Sequence, residues 1–286
     1  MSQLQQVLEL LGKGEISEST DKIKVYNESF AAHENVKLIM VKENATKWIL
    51  AAGDGQLFDE LEGEVINGKG KVCPLSHENR LVLNRYFDYT VPRAFGTKVA
   101  TMGLGDRLGL ASPGHIETVK NSKVKPILAQ QSIRELTLTN RSMKDMLDAA
   151  CFAVFQEGYK GGFGADGDHI KKEEDIKYAL ELGLSMLTLD CSDQIDKRLE
   201  TASSEEIRTE YEKLPQSVKE HFSKTYMNQT FDVNGLMINF DEITTMKNVL
   251  LYGEAITFMT HVYDEYISNL GREFDFEISI DETETV

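Results

Sequence analysis

The chain has 286 residues, 31 Lys and Arg against 47 Asp and Glu, a net charge of −16 and 41% hydrophobic residues. That length and apolar content suffice for a large core in one or two domains, while so acidic a surface repels phosphate backbones and excludes nucleic acid as a natural partner. There is no apolar run near the roughly 18 residues of a membrane span and no basic-then-apolar start of a secretory signal; three distant cysteines, Cys73, Cys151 and Cys191, fit reduced thiols in a cytoplasmic protein, not a disulfide framework or a cysteine zinc site.

Residues 1 to about 95 read as a small α/β extension. Leu4, Val7, Leu8 and Leu11 repeat at helical spacing. Residues 36–41 and 48–52 are strands, joined as a hairpin through 42–47. No chemistry is visible there, and a structural extension or an oligomer contact is its default role.

From about Thr97 the texture changes to short strands alternating with helices, the mark of βα units. Strands are expected at 98–103, 126–129, 162–165 and 184–189. They lead into Gly105-Asp106-Arg107-Leu108-Gly109, Gln130-Gln131-Ser132, Asp166-Gly167-Asp168-His169 and Asp190-Cys191-Ser192-Asp193. A helix over 142–157 carries the apolar stripe Met143, Met146, Leu147, Ala150, Val154 and Phe155. Ser142 with Asp145 makes its capping box, and Gly158 ends it. Another helix over 173–182 stops at Gly183. Charged helices over 203–214 and 217–226 precede a long helix over 241–270, capped by Gly271. Residues 274–280 alternate acidic and apolar side chains as a last strand. Polar clusters at successive strand ends converge on one face of a (β/α)8 barrel. The fold expected is therefore α/β, TIM-barrel-like, with residues 96–286 supplying about the first five strands. Because the sequence stops straight after a strand, which would leave a barrel edge open, it reads as the N-terminal portion of a longer protein.

Asp168-His169 is the leading chemical pair. A carboxylate beside an imidazole at a strand end suits an acid/base next to a metal ligand, and the neighbouring glycines let backbone and ligand approach. The plainer alternative is an Asp that caps a turn and a His that packs passively. Glu277 stands in an apolar strand pattern, where a carboxylate is costly without a partner; equally, Asp275, Glu277 and Ser279 form one solvated face. Arg107 offers a planar fork for a carboxylate. Gln130, Gln131, Ser132, Arg134 and Glu135 suit sugar hydroxyls, or form a surface loop. The glycines from Gly103 are spaced GxGxxxG, which excludes the dinucleotide fingerprint, and no HExxH, GxSxG or P-loop is present.

At these residues the chain resembles the tagaturonate epimerase family of hexuronate catabolism. The resemblance rests on Gly105-Asp106-Arg107-Leu108-Gly109 with Pro113-Gly114-His115 and on Ala129-Gln130-Gln131-Ser132-Ile133-Arg134-Glu135. It continues through Val154-Phe155-Gln156-Glu157-Gly158-Tyr159, Gly162 to His169, and Phe274-Asp275-Phe276-Glu277 to Asp281-Glu282-Thr283-Glu284-Thr285. It covers roughly residues 90–285. It implies a metal-dependent epimerase that interconverts D-tagaturonate and D-fructuronate, with a ketohexuronate as its small-molecule partner and a divalent cation (zinc, manganese or similar) as cofactor. By analogy with class II aldolases, the resemblance implies Asp168 as proton acceptor, His169 as metal ligand and Glu277 as proton donor on the opposite face. Asp106, Arg107, Gln130, Gln131, Arg134, Glu135, Asp166 and Asp190 would surround the substrate. Further metal ligands are expected beyond Val286, since catalytic sites usually supply three. Retro-aldol cleavage with re-addition and direct proton exchange at carbon both remain open. A class II-type aldolase or lyase, or an inactive fragment, are the competing readings. No membrane partner is expected, and oligomerisation is left open.

Overall fold

A computed structural model describes residues 3–280. They fall into two compact units: residues 3–170, 174–187 and 272–275 in the first, and 171–173, 188–271 and 276–280 in the second.

The first unit opens with α1 (Gln3–Lys13), β1 (Ile23–His33), β2 (Val36–Glu43), β3 (Thr46–Ala52), α2 (Gln56–Glu60), β4 (Glu64–Ile66), β5 (Gly70–Cys73) and α3 (His77–Tyr86). The five strands form an antiparallel sheet in the order β1-β2-β3-β5-β4. The β2–β3 hairpin is as the sequence suggests. Glu43 pairs with Thr46, and the turn residue Asn44 takes a left-handed φ of 53°, which Asn tolerates well. The apolar run of β2 is continuous because both faces of the sheet are covered. Ile39 and Val41 pack with Val7, Leu8 and Leu11 of α1; Leu38 and Met40 join Leu57, Phe58, Val82 and Leu83 on the other side.

The chain then alternates: β6 (Thr101–Gly105), α4 (Ser112–Val119), β7 (Lys125–Gln130), α5 (Ile133–Leu138), α6 (Met143–Gln156), β8 (Gly164–Ile170), α7 (Glu173–Leu182) and β9 (Met186–Asp190). The expected capping box starts α6. Ser142 Oγ accepts from the Asp145 amide at 3.2 Å, and Asp145 Oδ2 accepts from the Ser142 amide at 2.8 Å. Phe152 and Phe155 of α6 are buried in the same core as Leu38 and Met40, so one helix serves both sheets of this unit.

The second unit contains α8 (Ser204–Glu212), α9 (Gln216–Thr225), β10 (Gln229–Val233), β11 (Leu236–Phe240), α10 (Glu242–Val262) and most of β12 (Asp275–Ser279). Its small core gathers Ile207, Tyr211, Met246 and Val249. The β10–β11 hairpin is absent from the sequence-based expectation. Asn234-Gly235, both at positive φ (53° and 90°), make its two-residue turn. The long helix ends at Val262 and passes into a wide π turn over Tyr263–Ile267.

The expected TIM-barrel-like fold is therefore corrected. The described strands form the antiparallel sheet, a five-stranded parallel sheet in the linear order β12-β9-β8-β7-β6, and the β10–β11 hairpin, a mixed α/β architecture. The βα rhythm does hold from β6 to β9. After that, α8, α9, the hairpin and α10 add no strand to the parallel sheet before β12 arrives. Among the described residues, no helix is long and apolar enough to cross a membrane.

Candidate active site

In the first unit β6, β7 and β8 are adjacent and parallel, so their C-terminal ends share one edge of the sheet. That edge is where open α/β sheets bind ligands. Asp106 and Arg107 follow β6. Gln130 ends β7, and Gln131, Arg134 and Glu135 follow it. Asp166, Asp168 and His169 lie within β8, which runs on to Ile170 and so replaces the expected exit turn.

Asp168 Oδ1 lies 2.7 Å from His169 Nδ1. A carboxylate only accepts, so Nδ1 carries the proton of this bond, and in the neutral ring Nε2 is left with a lone pair. The His169 side chain is about a third exposed, that of Asp168 half as much. His169 has φ 53°, a left-handed conformation that costs a non-glycine residue of order 1 kcal/mol and recurs at functional sites. Asp166 is fully buried. The glycines of β8 leave room for neighbouring side chains: a Cβ at Gly164 would sit 2.5 Å from Ile127 Cδ1 of β7, and one at Gly167 2.7 Å from Ile170 Cδ1 of the same strand and 3.3 Å from Leu187 Cδ1 of β9.

Asp106 is buried and engages both oxygens. Oδ1 accepts from the Leu110 amide at 2.9 Å, and Oδ2 from the amides of Ala111 (2.8 Å) and Ser112 (2.9 Å) and the Ser112 hydroxyl (2.9 Å). Burial alone would raise its pKa. The Ser112, Ala111 and Leu110 amides and the Ser112 hydroxyl together outweigh that and hold it below the usual aspartate value. Asp106 thus fixes the loop into α4. Exposed Arg107 pairs through Nε with Glu135 Oε1, and its carbonyl accepts from Gln131 Nε2 at 2.8 Å. Gln131 Oε1 in turn accepts from Arg141 Nη1 at 2.9 Å. Arg134 is exposed on α5.

Two features escape sequence reading. Gly103 pairs with Ile127 and Gly105 with Gln130, so β7 carries one residue more than β6 between these pairs. This β-bulge coincides with a left-handed Ala129 (φ 55°). The bulge sends the Gln130 amide against Gly103, where a Cβ would lie 2.4 Å from Oε1. Arg141 is the second: only the folded chain brings it to Gln131.

The second unit holds Asp190 and Glu277. Asp190 Oδ1 accepts from the Ser192 amide at 2.8 Å and from the Ser192 hydroxyl, and Oδ2 lies 3.5 Å from Lys171 Nζ. Lys171 also bonds Asp193 Oδ1 at 2.7 Å. Glu277 is exposed on β12, whose Ser279 carbonyl accepts from the Cys191 amide at 3.1 Å. Cys191 is buried, which pushes its thiol up to about 11. The Asp281–Thr285 portion of the family resemblance lies outside the described residues.

Comparison with known proteins decides the family. The tagaturonate epimerase family model matches residues 26–286. The chain belongs to the tagaturonate epimerase family. A tagaturonate/fructuronate epimerase from Thermotoga maritima is 36% identical over 267 residues, which cover 92% of this chain and 54% of that protein. A glycerol-complexed fructuronate-tagaturonate epimerase from Cohnella laeviribosi superposes with a TM-score of 0.89 at 53% identity, covering 98% of this chain and 56% of that one. The native form of the Cohnella enzyme gives the same TM-score at 52% identity. The chain thus spans about half the length of the epimerases it matches.

As to a metal, the Asp168–His169 contact is the buttressed arrangement in which a carboxylate orients an imidazole for ligation through its other nitrogen. Among the described residues there is no group of three His, Cys, Asp or Glu that could hold an ion. The described donors by themselves do not make up a metal site.

Proposed function

We propose that the strand-end cluster belongs to the active site of an epimerase that interconverts D-tagaturonate and D-fructuronate. The observation that carries this reading is the Asp168–His169 contact at the carboxyl edge of β8, inside the stretch matched by the family model. His169 would offer Nε2 to a divalent cation, which when bound supplies Lewis-acid polarisation of the substrate ketone. The buried cysteines are consistent with a reducing, cytoplasmic setting.

The two ketohexuronates differ at a hydroxyl-bearing carbon β to the ketone. Simple enolisation does not make that hydrogen acidic, whereas loss of the hydroxyl proton opens a retro-aldol route. The bond between the α and β carbons cleaves to an aldehyde and an enolate, the aldehyde turns, and re-addition gives the other epimer. Asp168 Oδ2 is the acceptor proposed for the hydroxyl proton, while Oδ1 keeps His169 in register. The family resemblance implies Glu277, on β12 of the second unit, as the proton donor. Arg107 and Arg134 are the cations proposed for the substrate carboxylate, with Gln130, Gln131 and Glu135 near its hydroxyls. Asp106, with both oxygens committed to the backbone, would act by holding the loop that carries Arg107.

The test is to incubate D-tagaturonate with the chain, alone and within any longer polypeptide its gene encodes, and to resolve the products by NMR. Appearance of D-fructuronate with no three-carbon fragments is expected. Release of two fragments would instead establish an aldolase, and absence of conversion in both forms would refute the proposal.

A further inference from the structure

Three lysines stand abreast on the antiparallel sheet of the first unit. Lys24 of β1 pairs with Lys42 of β2, which pairs in turn with Lys47 of β3. Like charges directly opposite on neighbouring strands are destabilising. The surrounding chain is acidic, with a net charge of −16, so carboxylates to interleave are plentiful. Yet among the described residues neither Lys24 nor Lys42 forms an ion pair with a carboxylate. Instead the ammonium groups of Lys24 and Lys47 lie 4.9 and 5.5 Å from the centroid of the Tyr26 ring. Burial, then the Lys42 charge, hold Lys47 below the usual lysine pKa. Lys47 has one structural reason to be there: its Nζ donates to Gln156 Oε1 at 2.5 Å at the end of α6, where a cation suits the helix dipole. Lys24 has the face of Tyr26; Lys42 makes no such contact among the described residues.

Two of the row, Lys42 and Lys47, line a cavity of about 580 Å³ together with His77 and Lys144. The acids that share its walls are largely committed. Asp148 accepts from buried Arg80 Nε at 2.8 Å and lies 2.9 Å from His77 Nδ1. Asp145 Oδ2 serves the α6 capping box, and Glu78 completes the acidic side. Glu157, near Lys47, accepts from Gln156 Nε2 at 2.6 Å.

We propose that the Lys24–Lys42–Lys47 row and this cavity, which shares Gly109 and Leu110 with the loop that carries Arg107, form a binding site for a small phosphorylated molecule. Flexible ammonium groups approaching from several strands suit a compact dianion as point charges; a monocarboxylate would more naturally meet the planar fork of an arginine. The volume lies within the few hundred to a thousand Å³ of ordinary ligand pockets. A dianion seated on the row would also relieve the repulsion between the lysines.

The experiment is calorimetric titration of the full chain with inorganic phosphate in mildly alkaline buffer, against sodium chloride at matched ionic strength, with Lys42→Met and Lys144→Met beside the wild type. Phosphate should bind the wild type and raise its Tm. Lys42→Met should weaken binding about tenfold or more, a difference of about 1.4 kcal/mol. Its unliganded Tm should equal or exceed that of the wild type, because a like-charge neighbour has gone; a merely structural lysine would show the reverse. Wild type with no binding beyond matched chloride would overturn the proposal. So would Lys42→Met binding as tightly as wild type, or succinate binding as well as phosphate.

Discussion

Replacing Asp106 separates its structural work from any contact with substrate. Its four hydrogen bonds fall into two classes. Those from the Leu110 and Ala111 amides reach exposed residues that water can satisfy, and each is worth about 0.5 kcal/mol. Those from the Ser112 amide and hydroxyl end at a residue that is 2% exposed, where a lost partner costs about 1–2 kcal/mol apiece. Part of this returns because the variant no longer buries a carboxylate. Asp106→Ala should therefore lose about 3 kcal/mol. Asp106→Asn can keep its oxygen in the Oδ2 position and retain three of the four bonds, with an NH2 facing the Leu110 amide; about 1.5 kcal/mol is expected. Urea unfolding gives the totals, and amide exchange at Ala111 and Ser112 localises them.

The pH dependence has a fixed sign. The pKa of Asp106 is depressed in the fold. Its contribution is therefore fully present above the unfolded value of about 3.9 and is lost as pH falls through the lower folded value. The gap between wild type and Asp106→Asn should stay flat from about pH 5 upward and close only in acid below about pH 4. Equal losses for the Ala and Asn variants, or a gap that grows toward acid, would show that the loop is held by something else.

Three further outcomes follow from the geometry. Asp168→Ala and His169→Ala should each lower tagaturonate–fructuronate exchange by about 10²–10⁴-fold with little change in Tm, measured as NMR isomer exchange in the active form; unchanged exchange in either variant would remove the pair from the chemistry. Gly158→Ala should cost about 3 kcal/mol in urea unfolding, because Gly158 has φ 53° and a Cβ there would meet the Glu28 carbonyl oxygen at 2.2 Å. Gly103→Ala should cost under about 1 kcal/mol, since the new methyl meets only the far end of the Gln130 side chain. That variant should raise KM for the sugar acid as Gln130→Ala does; a wild-type KM in both would exclude Gln130 from binding.

What the sequence disclosed is what local chemistry dictates. The Ser142–Asp145 box, the Gly158 stop and the bounds of α7 are settled within one helical turn of their own residues, and the structure repeats them. Asn234-Gly235 carried an equally local signal, a two-residue turn between Val233 and Leu236, but it was hidden among charged helices. The loop cap made by Asp106 is a finer case: its donors lie four to six residues ahead, local in sequence, yet the pattern of residues alone did not single it out. The parallel rhythm from β6 to β9 was legible; the linear strand order was not, because nothing local tells a strand which neighbour it will join. The Ala129 bulge, the seat of Gln130 on Gly103 and the Arg141–Gln131 bond depend on partners from other strands and helices, and only packing reveals them.

The bulge and the left-handed histidine share a physical logic. Ala129 and His169 occupy a conformation that costs a side-chain-bearing residue of order 1 kcal/mol each, at the ends of neighbouring strands. Such strain persists only where the surroundings over-determine it. Here they do: Leu128 and Ala165 are fully buried and register-paired across β7 and β8, and Ile127 fills the space left by the missing Cβ of Gly164. The rigid middle of the sheet thus holds its carboxyl edge in a geometry that an isolated strand would abandon. The return on that strain is direction. One extra residue turns the Gln130 amide onto Gly103, and a positive φ turns His169 so that Nδ1 meets the carboxylate of the residue before it. Without the first, Gln130 would follow the pleat and lose its seat. Without the second, consecutive side chains would point to opposite faces of the strand, and Asp168 could not orient His169.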